Sequence, residues 1–235
     1  MRTTKSIGIN QRIPLQVLDN AIIYNLKGII DIKTEIVRDL SEHFTGENRI
    51  GKGYVAFRKI LFASKTATFF FKNCPIDKYL SLSEHDRKAV WLSLLSATYP
   101  FVYELVSEFA ESFKTQSVVN TLSIANRIKS IYGSNRASEI GLYAIIPTLI
   151  ELGIITRPKN AVYAKGIKLK VIDPLVKEMV ILSDLEGSNT KIFGLNDVDR
   201  KPYFFFLEMP LNAFDAFLAL QLKGAAREEY LVFTY

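Results

Sequence analysis

The 235-residue chain is 49% hydrophobic and 23% charged, a composition that supports a folded core and excludes a disordered or linker-like protein. One cysteine, Cys74, excludes an internal disulfide and a cysteine zinc site, and two histidines cannot make a multi-histidine metal site. We therefore expect no metal and no cofactor. No signal-peptide pattern opens the sequence, and its longest apolar run, 89–103, is shorter than the about 20 residues of a spanning helix. These features predict a soluble, cytoplasmic protein with no membrane partner.

The formal net charge of +6 is unevenly distributed along the chain. Residues 121–170 hold eight Lys/Arg and two Asp/Glu, whereas residues 171–235 hold six Lys/Arg and ten Asp/Glu. A local basic surface attracts a polyanion and gains affinity from counterion release. The segment 121–170 is therefore the candidate for nucleic-acid contact, and a solvated basic face without a ligand is the alternative.

The first half of the chain predicts a helical, bundle-like domain. Apolar spacing indicates helices over 14–27, over 31–44 with Asp31 as N-cap, and over 54–71. Pro75 ends the third helix, a further helix begins near Ser81 or Ser83, and Pro100 kinks or restarts it.

The glycine-rich stretch 45–53 is predicted to be a loop. Residues 46–53 nearly match a phosphate-binding loop, but Gly53 stands where a Ser or Thr would ligate magnesium, and a helix rather than a strand precedes it. A flexible basic loop near DNA is the better interpretation. It begins a possible second basic patch, which consists of Arg49, Lys52, Arg58 and Lys59.

Residues 121–152 have the spacing of a helix-turn-helix. Apolar positions predict one helix over 122–132 and a second over 136–152. Gly133 stands where a left-handed C-cap residue is needed, and Ser134 and Asn135 supply a turn and the next N-cap. The three-residue connection suits a helix-turn-helix, although Gly141 and Pro147 reduce the stability of the second helix.

Two short β-favouring runs, 154–157 and 161–164, follow the second helix and flank a predicted turn at 158–160. Helix, turn, helix and hairpin is the winged-helix order, in which the second helix enters the major groove and the hairpin touches the backbone or the minor groove. The residues predicted to contact DNA are Ser134, Asn135, Arg136 and Ser138 at the helix start, and Arg157, Lys159 and Lys165 on the hairpin. Winged helices that mediate protein–protein contact are the alternative interpretation.

Residues 171–235 predict a small α+β region. A helix begins at Asp173 and Pro174, and an amphipathic helix covers 211–222. Three short β-like runs are predicted at 191–193, 203–207 and 230–235. The triple phenylalanine 204–206 is too apolar for a solvent-facing strand, so both of its faces are expected to be covered. The acidic charge of this region favours a protein contact over a nucleic-acid contact.

The stretches KAVWL (88–92) and YPFVYELVSEF (99–109) resemble the central helical part of BrxA proteins, which belong to bacteriophage-exclusion (BREX) defence systems. The resemblance extends over about residues 33–164, where the basic N-terminal part and the helix ending in Gly-Ile-Ile lie in similar relative places. It implies a small, mainly helical DNA-binding protein that acts beside a methyltransferase and ATPases, without established enzymatic activity of its own. The second helix is less basic here than the family implies, and the region after Val171 is longer.

The sequence therefore predicts a mainly α protein in three units: an N-terminal helical domain (1–116), a winged helix-turn-helix (117–170) and a C-terminal α+β region (171–235). The predicted function is a non-enzymatic, double-stranded-DNA-binding component of an anti-phage, BREX-like system, with other defence proteins as further partners. Two alternatives stay open. One is a protein-interaction adaptor or transcriptional regulator, and the other is a nuclease or modifying subunit that uses Asp31.

Overall fold

The computed structural model describes residues 7–194 and 196–210 and the backbone of 230–232. The described chain is mainly helical, with small sheets after residue 117. The helices of the first half are α1 (Leu15–Leu26), α2 (Ile32–His43), α3 (Glu47–Phe62), α4 (Lys65–Asn73), α5 (Ile76–Ser81), α6 (Glu84–Thr98) and α7 (Pro100–Thr115). The second half contains β1 (Val118–Asn120), α8 (Thr121–Tyr132), α9 (Arg136–Leu152), β2 (Ile155–Lys159), β3 (Val162–Lys165), β4 (Leu169–Lys170), α10 (Pro174–Ser188), β5 (Ile192–Gly194), α11 (Asp197–Arg200), a 3₁₀ helix (Pro202–Phe206), β6 (Leu207–Glu208) and β7 (Tyr230–Val232).

Side-chain caps begin several of these helices where the sequence places Ser, Asn or Asp. A cap oxygen satisfies one of the backbone N–H groups that a helix start leaves without an intrahelical partner. The capping residues with this hydrogen bond include Asp31 for α2, Ser83 for α6, Asn120 for α8, Asn135 for α9 and Asp173 for α10. These local interactions explain why the predicted starts of α2, α6, α9 and α10 are confirmed.

The predicted loop over 45–53 is wrong, because α3 begins at Glu47 and contains Gly51 and Gly53. Gly53 is buried, and a Cβ atom at this position would lie 3.2 Å from Leu40 Cδ1. The glycine therefore allows α2 and α3 to pack closely. The glycines that suggested a phosphate loop belong instead to a packed helix.

The predicted helix over 54–71 is two helices. Ser64 ends the connection after α3 and caps α4 by accepting a hydrogen bond from Ala67 N–H at 2.9 Å. The carboxylate of Glu186, on α10, accepts further bonds from Lys65 N–H and Thr66 N–H, each at 2.8 Å. A distant acidic side chain thus completes this helix start, which the local apolar pattern cannot indicate.

The core is built around α6 and α7, against which α10 packs. Pro100 restarts the helix, as predicted, and the two helices meet at a bend of 117°. Within the described residues no single helix is both long enough and apolar enough to cross a membrane. Helices α6 and α7 meet the two criteria only when they are counted as one segment across that bend. Cys74 is a free, buried thiol, and burial raises its pKa to about 11.

Three small sheets follow α7. The first has the strand order β1-β3-β2 and is antiparallel, the second pairs β4 with β6 in parallel, and the third pairs β5 with β7 antiparallel. The predicted strand 203–207 is wrong over most of its length, because Pro202–Phe206 is a 3₁₀ helix. Burial of Phe204 and Phe206 is confirmed, since their rings pack against Phe193 and Phe113. The predicted helix over 211–222 lies outside the described residues.

The three predicted units share one apolar cluster. Ile7 and Phe101 approach Gly141 of α9, and Tyr103 of α7 contacts Gly187 of α10. The buried apolar residues on both sides of 116/117 and 170/171 belong to the same continuous core. The division at these positions stays a prediction, and buried side chains pack across both of them.

Candidate nucleic-acid interface

The three-stranded sheet fixes the position of the hairpin relative to α8 and α9. Strand β1 leads directly into α8, and its partner β3 forms the second arm of the β2–β3 hairpin that follows α9. Val119 and Tyr163 face each other in register and are both buried, with the Tyr163 ring in edge contact with Phe109 of α7 at 5.5 Å. The sheet therefore ties the helix pair and the hairpin to the core as one unit.

The turn between α8 and α9 is held by Asn135. Its Oδ1 accepts a hydrogen bond from Ser138 N–H at 3.0 Å, and its side-chain amide donates to Tyr132 O at 3.3 Å. Ser138 is fully buried, and its hydroxyl donates to Gly133 O at 2.9 Å. The prediction that Ser138 reaches DNA is therefore wrong, because the hydroxyl is used inside the turn. Ser134 and Arg136 are exposed, as predicted.

Close packing accounts for Gly141 inside α9. A Cβ atom at this position would lie 2.8 Å from both Ile7 Cγ2 and Phe101 Cζ, which is closer than side chains tolerate. Further along the helix, Thr148 Oγ1 donates to Ile13 O at 3.1 Å. The segment before α1 and helix α7 thus cover one side of α9, so that only the opposite side meets solvent.

The exposed side of α9 is mixed in character. It presents Arg136, Glu139, Ile140 and Tyr143. Glu139 is paired with Lys129 of α8 at 3.1 Å. Arg136, the cation of α9, forms no ion pair among the described residues. Base-edge readout uses several aligned donors and acceptors, and on this surface the charged acceptor, Glu139, is held by Lys129.

The hairpin presents Arg157, Lys159 and Lys165, and all three are exposed. None of them forms an ion pair in the described residues. The pairing of β2 with β3 shifts register between Thr156 and Lys159, where Pro158 has no N–H to donate to the sheet. The turn is also tighter than predicted, because Ala161 has a φ of +59° and the strands extend to Lys159 and Val162. Arg157 lines a cavity together with residues of α8 and α9, and its guanidinium donates to Oδ1 of Asn160 in the hairpin turn.

A cation that the sequence did not single out, Lys168, adjoins the hairpin. The ammonium groups of Lys165 and Lys168 lie 5.3 Å and 6.0 Å from the centre of the Phe205 ring. An aromatic face attracts a cation without neutralising its charge. The alternation of lysine with apolar residues over 165–170 was the available signal, but only the fold shows that the two lysines meet at one ring.

The proposed second basic patch lies on α3, and its four side chains are all exposed. Lys52 and Lys59 border a shallow cavity of about 380 Å³ beside Gly8 and Asn10, whereas Arg49 stacks on the ring of Phe44 at 4.8 Å. Arg58 is one residue from Lys59 and therefore projects about 100° away from it around the helix. The two basic regions border different cavities, one lined by Lys52 and Lys59 and the other by Arg157.

No group of three or more His, Cys, Asp or Glu side chains within residues 7–194 and 196–210 is arranged to hold a metal ion. His85, one of the two histidines, accepts a hydrogen bond from Lys170 N–H at its Nδ1, at 2.9 Å. Comparison of the chain with models of known protein families, with curated proteins and with solved structures returned no match. The functional argument therefore rests on the geometry of the chain itself.

Proposed function

We propose that residues 117–170 form a winged helix-turn-helix that binds double-stranded DNA mainly through its phosphate backbone. The observation that carries this proposal is a helix pair closed by a β1-β3-β2 sheet, with exposed hairpin cations that form no ion pair with a described carboxylate. In a winged helix the second helix approaches the major groove and the hairpin contacts the flanking backbone. Here α9 is that helix, and β2–β3 is the hairpin.

Phosphate contact is favoured over base readout in this proposal. Arg157, Lys159 and Lys165 are exposed cations, and the exposed N-terminus of α9 adds Arg136 and the helix dipole. The remaining exposed side of α9 offers Ile140, Tyr143 and Glu139, and the Glu139 carboxylate is already paired with Lys129. We therefore expect weak sequence preference and an affinity that falls steeply as salt rises.

A duplex-binding titration tests the proposal. Fluorescence anisotropy with a labelled 20-base-pair duplex, measured between 50 and 200 mM salt, compares the wild type with the double variant Arg157→Glu plus Lys159→Glu. The expected loss is about tenfold or more in affinity, and the slope of log K against log salt decreases by about 1.8, which is two phosphate contacts. The matched control is Lys27→Glu plus Lys72→Glu, two exposed lysines on other elements. Absent or salt-independent binding by the wild type would refute the proposal.

A second candidate is an adaptor that binds other proteins through the acidic region after Val171. Two large apolar side chains of this region, Ile172 and Ile192, are 63% and 55% exposed. An exposed apolar side chain in an acidic surface suits protein contact better than nucleic-acid contact. A defence component that binds the hairpin double variant as tightly as the wild type, and loses affinity for Ile172→Asp, would favour this candidate.

Anti-phage defence is the biological context that we propose from the resemblance to BrxA proteins. The stretches 88–92 and 99–109 that carry it lie in α6 and α7, where most side chains are buried. They support a likeness in packing rather than in a binding site. Phage plating on cells that carry the defence system, with the wild-type chain or with the hairpin double variant, tests the role. Equal protection by both chains would separate defence from DNA contact.

A further inference from the structure

An apolar groove of about 770 Å³ lies between α8, α9 and the hairpin. Its walls are formed mainly by Leu122, Leu142, Tyr143, Ile146, Pro147 and Ile150. Leu122 and Tyr143 at its lips are 66% and 76% exposed, an unusual position for large apolar side chains unless something covers them. Cavities of roughly 300–1,000 Å³ with mainly apolar walls are typical of small-molecule sites.

Among the charged side chains that border the groove, one cation forms no ion pair with a described residue. Five charged side chains line it, and four of them form two ion pairs, Arg12–Glu151 and Lys129–Glu139, each at 3.1 Å. The fifth is Arg157, which forms no ion pair within the part of the chain that the structure describes and donates to the neutral side chain of Asn160. The groove thus combines an apolar interior with a single unneutralised guanidinium at its hairpin side.

We propose that this groove binds a small apolar molecule that carries one carboxylate, such as a medium-chain fatty acid. The apolar body lies on Leu142, Ile146 and Pro147, and the carboxylate pairs with Arg157. A guanidinium binds a carboxylate through two parallel hydrogen bonds, which an ammonium cannot reproduce. A groove with a net charge of one is complementary to a monoanion, whereas a polyphosphate or an uncharged lipid leaves charge unmatched.

Binding of such an acid has a consequence for DNA, and this consequence rests on the proposed function. Arg157 is both a hairpin cation offered to phosphate and the groove cation offered to the carboxylate. One guanidinium cannot serve both partners fully, so the acid lowers duplex affinity. The two ligands are then linked reciprocally, and duplex DNA lowers the affinity of the acid by the same factor.

The test uses dodecanoate as the probe and the full chain without DNA. Isothermal titration calorimetry, at probe concentrations below micelle formation, compares dodecanoate with uncharged dodecanol. We expect saturable 1:1 binding of dodecanoate and at least tenfold weaker binding of dodecanol, because the charge-assisted pair with Arg157 is lost. Equal affinities for the two probes, or no saturable binding of dodecanoate, would overturn the proposal.

Matched variants locate the site. Leu122→Glu and Tyr143→Glu replace exposed side chains at the groove lips and are expected to abolish dodecanoate binding without unfolding the chain. Ile140→Glu introduces the same charge on the same helix outside the groove, at a residue that is 37% exposed, and should bind normally. Arg157→Gln should weaken dodecanoate at least tenfold, whereas Lys159→Gln should not. If Ile140→Glu weakened dodecanoate binding as much as the two groove variants, or Lys159→Gln as much as Arg157→Gln, the probe would bind elsewhere and the proposed site would be contradicted.

Other occupants of the groove give different results. A wild-type chain that is dimeric by light scattering and becomes monomeric in Leu122→Glu would assign the groove to a second copy and overturn the proposal. A groove that binds no dodecanoate, but loses a co-purifying protein on Tyr143→Glu, would belong to a protein partner and overturn it equally. Dodecanoate binding that leaves duplex affinity unchanged would refute only the competition. Normal dodecanoate binding by a chain that binds no duplex would instead refute the proposed function and leave the acid site standing.

Discussion

Cationic side chains lie both on the hairpin β2–β3 and beside the buried face of α10. Those on the hairpin are exposed to solvent, whereas the one beside α10 is paired with a buried carboxylate. On the hairpin, Lys159 is exposed and has no ion-pair partner in the described residues. Lys201, in contrast, lies 2.6 Å from Asp184, a carboxylate of α10 that is fully buried. A lysine is therefore available to bind a ligand in the first region, whereas in the second it stabilises the fold through an ion pair.

The buried cluster around Asp184 is well satisfied. Tyr103 donates to Asp184 Oδ1 at 2.8 Å, and the ring of Tyr103 stacks on that of Tyr203 at 4.8 Å. Burial raises the pKa of Asp184, and the hydrogen bond and charge of Lys201 oppose that rise. A buried carboxylate with such partners holds α10, α7 and the segment after α11 together, whereas the hairpin cations contribute little to the fold.

The largest expected effect comes from breaking the buried pair. Asp184→Ala leaves Tyr103 O–H without its acceptor and Lys201 without its closest carboxylate, so the free energy of unfolding should fall by about 3–5 kcal/mol. Denaturation by urea, followed by circular dichroism, measures this loss. The control is Glu111→Ala, which removes an exposed pair with Lys114 and should cost less than about 1 kcal/mol. Similar losses in both variants would contradict the contrast drawn here.

A pH titration sharpens the comparison within α10. Glu178 is buried, and burial raises its pKa from the usual value near 4.5 to about 7. The unfolded chain then loses this proton at lower pH than the folded chain, so stability falls as pH rises from about 4.5 to 7 and levels off above it. At about 1.4 kcal/mol per unit of pKa, the total loss is on the order of 3 kcal/mol.

The variant Glu178→Gln removes this titration. Its free energy of unfolding should lack the fall between about pH 4.5 and 7, and at pH 8 it should exceed that of the wild type. Urea denaturation at a series of pH values measures both effects, with Glu111→Gln, whose side chain is 43% exposed, as control. A wild-type stability that is independent of pH over this range would show that Glu178 is not buried as a protonated acid.

Substitution of two glycines tests whether close packing fixes the position of α9, the helix that belongs to the proposed interface. Gly141→Ala places a methyl group 2.8 Å from atoms of Ile7 and Phe101 and should cost about 1–3 kcal/mol. Gly51→Ala, in the interior of α3 with no atom within 4 Å of the new methyl, should stabilise the chain by up to about 1 kcal/mol. Thermal unfolding of the two variants measures the expected decrease in stability for Gly141→Ala and the expected increase for Gly51→Ala. A neutral Gly141→Ala would mean that α9 is not held by Ile7 and Phe101.

The smallest expected effect is on DNA affinity at the edge of the hairpin. Lys165→Gln removes one proposed phosphate contact, so duplex affinity should fall a few-fold and the salt slope should decrease by about 0.9. Stability should hardly change, because Lys165 is exposed and its ammonium group lies over the face of Phe205 without an ion pair to a described residue. Lys72→Gln, at the exposed end of α4, is the control. An equal decrease in both variants would indicate an effect of net charge alone.

Local interactions explain which parts of the fold could be predicted. The bounds of α9 follow from the Asn135 cap at one end and from Gly153 at the other, which has a φ of +82°. The hairpin was predicted because the β-favouring runs on either side of its turn are close in sequence. The exposure of Ser134, Arg136, Arg157, Lys159 and Lys165 followed from the same elements.

Contacts between distant residues explain what the sequence missed. Residues 45–53 were predicted to form a loop because they are rich in glycine. Only the close approach of Leu40 in the folded chain shows why Gly53 lies in a helix. Ser138 is a shorter-range case: it seemed available for DNA because its bond to Gly133 O, five residues away, forms only once the turn is closed. Likewise, Lys168 joins Lys165 only because the 3₁₀ helix places Phe205 beside both.

The sequence by itself determined the helix starts, the helix pair with its hairpin, and the concentration of positive charge in residues 121–170. These features depend on caps, on apolar periodicity and on composition, which are all properties of neighbouring residues. The tertiary structure decided which cations are neutralised, which side of α9 is covered, and that an apolar groove lies beside Arg157. Each of these depends on atoms that come together from distant positions in the chain, where burial and ion pairing change the availability of a side chain whose chemistry stays the same.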